Sequence, residues 1–193
     1  MRVLGIDPGS RFMGYGVVED QRGKLVHVGH GVIKADGSAP LHERLNAIFG
    51  QLQVALALYT PDAVAVEGVF TFRNARSALI LGHARGVALL VAAQRGLPIH
   101  EYAPAKVKRA VGAGGADGKD AVARMVRTFL GVEIPERADA SDALAVAICH
   151  LNHNRAPVGS VKSQKPSSKR GKSAFAHLAD RLAPSYRRVG NGG

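Results

Sequence analysis

The 193-residue chain is 46% hydrophobic, and its 26 Lys and Arg against 15 Asp and Glu leave a formal charge of +11 and a pI of about 10.3. That length buries a core without staples, and no long unbroken apolar run or secretion signal is evident, so a soluble, cytoplasmic protein is expected. The single cysteine, Cys149, rules out an internal disulfide and a cysteine-based zinc site, and its apolar neighbours make it a core filler.

Residues 2–7 (RVLGID) form a short buried strand closed by the Pro8-Gly9 turn. Residues 14–19 and 25–33 alternate imperfectly around QRGK, a hairpin signal. Leu41, Leu45, Ile48, Leu52, Ala55 and Leu56 recur at helical spacing over 41–58. AVAVE (63–67) is the next strand. A long helix is predicted over 73–95, with small residues at Ser77, Ala78, Gly82, Gly86 and Ala88 that suit either core packing or a subunit interface. A strand at 98–102 follows, then a glycine-rich basic stretch at 104–117 and helices near 118–130 and 139–153. Strands alternating with helices imply an α/β layer fold. The domain therefore spans residues 1–155, and the basic tail 156–193 is expected to be disordered, with one short amphipathic stretch at Phe175, Leu178 and Leu182.

The charge is uneven, since the tail alone carries +7. A basic protein attracts polyanions by releasing their counterions, which favours nucleic acid, although such a tail can equally be a solubilising arm.

Four acids sit in strongly apolar surroundings. Asp7 ends one buried strand and Glu67 another; Asp139 and Asp142 open an alanine-rich helix at i, i+3 and so share a face. Asp139 or Asp142 can instead cap the helix, and Asp7 can shape the turn before Pro8-Gly9. Capping does not explain Glu67. Burying several carboxylates without partners is costly, and a hard divalent cation removes the cost. Oxygen-only ligands suit magnesium, and a pair of such ions supports phosphodiester hydrolysis. No nucleotide loop competes: AGGADGKD departs from the phosphate-loop pattern at Ala113 and Asp120, and PSSKRGKS departs at Pro166.

GIDPGSRFMGYGVVE (5–19), VEGVF (66–70) and DASDALAVAICH (139–150) resemble the three acidic motifs of RuvC Holliday junction resolvases. NARSALILGHARGVAL (74–89), EYAPAKVKRAVGAGGADGK (101–119) and MVRTFL (125–130) resemble the same family, so the likeness covers residues 1–153 in order. It implies an RNase H-like fold, a mixed five-stranded sheet flanked by helices. It implies a homodimer joined through the long second helix, cutting four-way junction DNA by symmetric paired nicks beside the RuvA–RuvB branch-migration complex. By position, Asp7, Glu67, Asp139 and Asp142 would hold two Mg2+ ions, with Mn2+ able to substitute; some relatives carry His where Asp139 stands. Lys119 would stabilise phosphate charge, and Lys108 would lie near the scissile phosphate. Phe70 would stack on a base at the junction centre. Arg73, Arg76, Lys106, Lys108 and Arg109 are candidate phosphate contacts. Each of these cations can also be an ordinary surface charge, and Phe70 a packing residue. His27, His30, His83 and His100 show no metal-ligand spacing. An actin-like kinase would need two such domains; a hybrid nuclease or a non-catalytic junction binder would share parts of the pattern.

Overall fold

Side chains alternate across a strand, so a strand packed on both faces distributes its residues between two layers. The computed structural model describes residues 1–68, 74–113, 121–133 and 138–155, which lie within a compact unit, Met1–Ala156. In chain order these contain β1 (Arg2–Asp7), β2 (Phe12–Gln21), β3 (Lys24–Lys34), α1 (Leu41–Tyr59), β4 (Ala63–Glu67), α2 (Ala75–Gln94), β5 (Ile99–Tyr102), α3 (Pro104–Ala110), α4 (Ala121–Leu130) and α5 (Ala138–Asn154). The strands form one mixed sheet in the order β3-β2-β1-β4-β5. β1 pairs antiparallel with β2 and parallel with β4, and β4 pairs parallel with β5.

Each face has its own core. Leu4, Ile6, Met13, Val17, Val64 and Val66 pack with buried residues of α1 and α2. Val3, Val18, Ala65 and Tyr102 pack with α3, α4 and α5. The period of two therefore continues Val3-Gly5-Asp7 and Ala65-Glu67 on the α5 side of the sheet. α5 buries residues around nearly its whole girth, from Ala140 to Leu151 and including Cys149, as an apolar central helix must.

The hairpin predicted around QRGK runs longer than 14–19 and 25–33. Its two-residue loop, Arg22 (φ 54°) and Gly23 (φ 92°), has the left-handed backbone that matches strand twist, and Asp20 Oδ1 accepts a 2.7 Å bond from Gly23 N. Within the stretch 104–117, expected only as glycine-rich and basic, α3 forms a short helix with Pro104 in its first turn, where a missing N–H costs nothing. The second long helix starts at Ala75, capped by Asn74, whose Oδ1 accepts from Arg76 N (2.9 Å) and Ser77 N (3.3 Å). By length and composition α2 is, among the described residues, the one helix long and apolar enough to cross a bilayer, although no unbroken apolar run spans it. It carries Arg76, His83 and Arg85 and packs against α1 and β5. The tail expected from residue 156, with Phe175, Leu178 and Leu182, lies outside the described residues, as do 118–120 of the helix expected from 118.

Candidate active site

The register of the central strands brings two acids together. Ile6 pairs with Val66, so the next residues, Asp7 and Glu67, end adjacent parallel strands on the same face. Across β1's other edge Asp7 pairs with Gly14. Such carboxyl ends of an open α/β sheet are where ligands bind.

Glycines admit the helix that supplies the other two acids. A Cβ built at Gly5 would lie 2.0 Å from the Ala143 carbonyl oxygen and 2.7 Å from Ala147 N; one at Gly14 would lie 1.9 Å from the Asp139 carbonyl oxygen, and one at Gly16 2.6 Å from Leu144 Cγ. α5 therefore rests its backbone directly on β1 and β2, with its first turn over Asp7. Glycine inside a strand marks such a close approach. Gly14 and Gly16 interrupt the hairpin's alternation for this reason, while a bulge at Val17/Val18 and the seating of Gly29 and Gly31 against Tyr59 and Tyr15 break it elsewhere.

The electrostatics of the cluster follow from that closeness. Burial first, then the charges of Glu67, Asp142 and Asp139, raise the Asp7 pKa to about 8, and its retained proton bridges to Glu67. Burial and Asp142 push Glu67 up; burial and Asp139 push Asp142 up. Lys108 works against both shifts, which places its charge beside Glu67 and Asp142. Among the described residues no three His, Cys, Asp or Glu side chains form a ready-made metal cage. The acids instead make a loose, all-oxygen, mutually repelling cluster. That donor set fits a hard divalent cation completing its shell with water and phosphate.

The other predicted residues are placed as follows. Lys108 and Arg109 line an open depression of about 490 Å³ with Pro104, Ala105 and Ala113. Lys106 turns elsewhere: its Nζ lies 5.0 Å above the Tyr102 ring and 3.5 Å from His153 Nε2. Arg76 is exposed in the first turn of α2. Phe70, Arg73 and Lys119 lie outside the described residues. The loop that follows Asp7 is pinned by Arg44 of α1, whose guanidinium donates to Ser10 O (3.0 Å) and Ser10 Oγ (2.6 Å). Sequence reading missed Arg44; a cation 34 residues away gives no local signal.

Residues 3–150 match the sequence family described as crossover junction endodeoxyribonuclease RuvC. The chain belongs to the RuvC family. A RuvC crossover junction endodeoxyribonuclease from Myxococcus xanthus is 72% identical over 190 residues, covering 97% of this chain and 98% of the relative. A RuvC from Trichlorobacter lovleyi is 51% identical over 79% of this chain and 85% of its own length. Among solved structures, Thermus thermophilus RuvC in complex with a Holliday junction substrate superposes with a TM-score of 0.75 at 36% identity, covering 80% of this chain and 95% of that one. The yeast mitochondrial Holliday junction resolvase shares the fold at 12% identity, with a TM-score of 0.57 over 78% of each chain. The architecture is thus the RNase H-like one expected, and as a RuvC-family nuclease the protein depends on a divalent metal.

Proposed function

We propose that this chain is a crossover junction endodeoxyribonuclease that resolves four-way DNA junctions by paired symmetric nicks, leaving 5′-phosphate and 3′-hydroxyl ends, in homologous recombination and DNA repair. The convergence of Asp7, Glu67, Asp139 and Asp142 at the carboxyl edge of the sheet is the observation that carries the chemistry. The acids would hold two Mg2+ ions, with Mn2+ as substitute. When bound, those ions lower the pKa of an attacking water and neutralise charge on the transferring phosphate.

The remaining work falls to the chain. Asp7 would hold the ions as a carboxylate, giving up the proton that burial and its acidic neighbours otherwise retain. Lys108 and Lys119 offset charge on the phosphate. Arg73, Arg76, Lys106 and Arg109 fix the duplex arms through phosphates and read no sequence. Phe70 stacks on a base opened at the crossover, a contact worth roughly 1–3 kcal/mol. Lys106, engaged with Tyr102 and His153, is the weakest of these contacts.

Two nicks need two sites. α2 leaves Leu79 65% and Leu90 50% exposed, and side chains built at Gly82 and Gly86 would meet nothing within 4 Å. An apolar, small-residue helix surface of that kind supports homodimerisation through α2. The protein acts in the cytoplasm alongside the RuvA–RuvB complex. Residues 1–155 form the nuclease, and 156–193 add DNA affinity through their +7 charge.

The test is cleavage of an end-labelled synthetic four-way junction beside a linear duplex of the same sequence, with and without Mg2+. Paired symmetric nicks confined to the junction and to the metal-containing reaction are expected. Binding without cutting in either Mg2+ or Mn2+ would instead leave a junction-binding protein, and preferential cutting of RNA–DNA hybrids would replace the substrate.

A further inference from the structure

The last two turns of α5 hold a polar cluster that the reaction described above does not use. His150 is completely buried, one of two buried polar residues among those described. Both ring nitrogens are engaged: Tyr102 Oη lies 2.8 Å from Nδ1 and Asn154 Nδ2 lies 2.8 Å from Nε2. An amide nitrogen can only donate, so Nε2 accepts and Nδ1–H donates to the tyrosine oxygen. The ring is therefore neutral, and burial with His100 and His153 nearby holds its pKa down to about 4. His100 packs against the His150 ring at 4.4 Å between centroids.

Tyr102 connects this buried ring to the acids. Its residue is the last of β5 and pairs with Glu67. Its carbonyl accepts a 2.8 Å bond from Gly68 N, the amide immediately after Glu67. α3 begins two residues later and carries Lys108, whose charge acts on Glu67 and Asp142. The same end of α5 also reaches α3 directly, through Asn152 Nδ2 to Ala110 O at 3.2 Å. One end of α5 thus presents Asp139 and Asp142, while the other grips the strand end and the helix that set Glu67 and Lys108.

We infer that His150 and Tyr102 are positioning residues for strand cleavage: their buried hydrogen bond fixes Glu67 and Lys108 relative to the acids of α5. A purely apolar contact would hold the layers together without setting their register along α5. A directional bond between two buried polar groups sets it, and an alternative alignment would leave both groups unpaired.

The inference rests on the junction-cleaving reading and is tested separately from it. Tyr102→Phe keeps the ring and removes only the hydroxyl; His150→Gln keeps a buried polar side chain without the imidazole geometry. Single-turnover junction cleavage at saturating Mg2+ is measured together with junction affinity in EDTA and the melting temperature. Tyr102→Phe is expected to bind junction within about twofold of the parent and to cut roughly ten- to a hundredfold more slowly. In a Lys108→Ala background the same change should cost less, because part of its effect runs through Lys108. Parent-like cutting by both variants would overturn the inference, as would cleavage lost only in proportion to binding and melting temperature. A full, undiminished effect in the Lys108→Ala background would overturn it too. Failure of the parent itself to cut would sink the functional reading instead, whatever the variants do.

Discussion

Replacing Gly14 by Ala places one methyl group where the structure has no room, and the obstacle belongs to a proposed metal ligand. The new Cβ would sit 1.9 Å from the Asp139 carbonyl oxygen. A relaxed carbon–oxygen contact needs about 3.3 Å, so the first turn of α5 or the paired segment of β2 must give by roughly 1.4 Å. Overpacking of this kind costs about 1–3 kcal/mol. At about 2–4 °C per kcal/mol for a chain of this size, the melting temperature should fall by roughly 2–12 °C. The catalytic penalty should be larger in proportion, because Asp139 and Asp142 move relative to Asp7. A misplacement near 1 Å costs on the order of a hundredfold. Single-turnover cleavage of a labelled four-way junction, run below the melting transition, should therefore slow about a hundredfold while junction binding in EDTA is retained. Gly50→Ala is the control: nothing lies within 4 Å of its Cβ on α1, and it should stabilise by roughly 0.5–1 kcal/mol with unchanged cutting. If Gly14→Ala melts and cuts like Gly50→Ala, the close seating of α5 on β2 does not position the acids.

Asp7→Asn should keep junction binding and abolish cutting; loss of binding in a filter or anisotropy assay would make Asp7 mainly structural. Asp7 is ionised in the unfolded chain above about pH 4 but keeps its proton in the fold until about 8, so the native state binds more protons across that window. Stability of the metal-free protein should accordingly fall as pH rises from 4 to 8, and calorimetric melts should show divalent cations flattening the decline. Asp7→Asn should remove much of that decline as well, melting above the parent at pH 8 in EDTA; a variant that melts lower there contradicts the charge-repulsion account. Leu79→Asp on the exposed face of α2 should shift the protein towards monomer in sedimentation and turn paired nicks into unpaired ones. Truncation after Arg155 should spare the chemical step and weaken junction binding, with a shallower salt dependence; an unchanged slope in a salt titration would deny the tail any phosphate contacts.

The parts of the fold that depend on local pattern were legible from sequence. Leu4, Ile6, Val64 and Val66 marked buried strands, and the acids closing those strands stood out because nothing apolar explains them. Asp139 and Asp142 were readable as a pair because helical spacing puts i and i+3 on one face. What escaped depended on distant partners. Gly5, Gly14 and Gly16 looked like lapses in a strand pattern until α5, well over 100 residues on, was seen resting on them. α3 was hidden in a basic, glycine-rich stretch although Pro104 marked its start. His150 was not singled out, since its partner Tyr102 lies 48 residues away. Phe70 and Lys119 were named from family likeness and Arg73 as a candidate phosphate contact, and all three fall outside the described residues.

The glycine seat touches Asp139 through its backbone oxygen and not through its carboxylate. Frame and reagent are therefore specified by separate parts of the same residue. A side chain of different donor chemistry at position 139 would inherit the placement of its α-carbon from the seat without having to build it. Donor chemistry at the proposed metal site can then be redesigned, or drift in evolution, one side chain at a time, while Gly14 cannot drift at all without the whole helix answering.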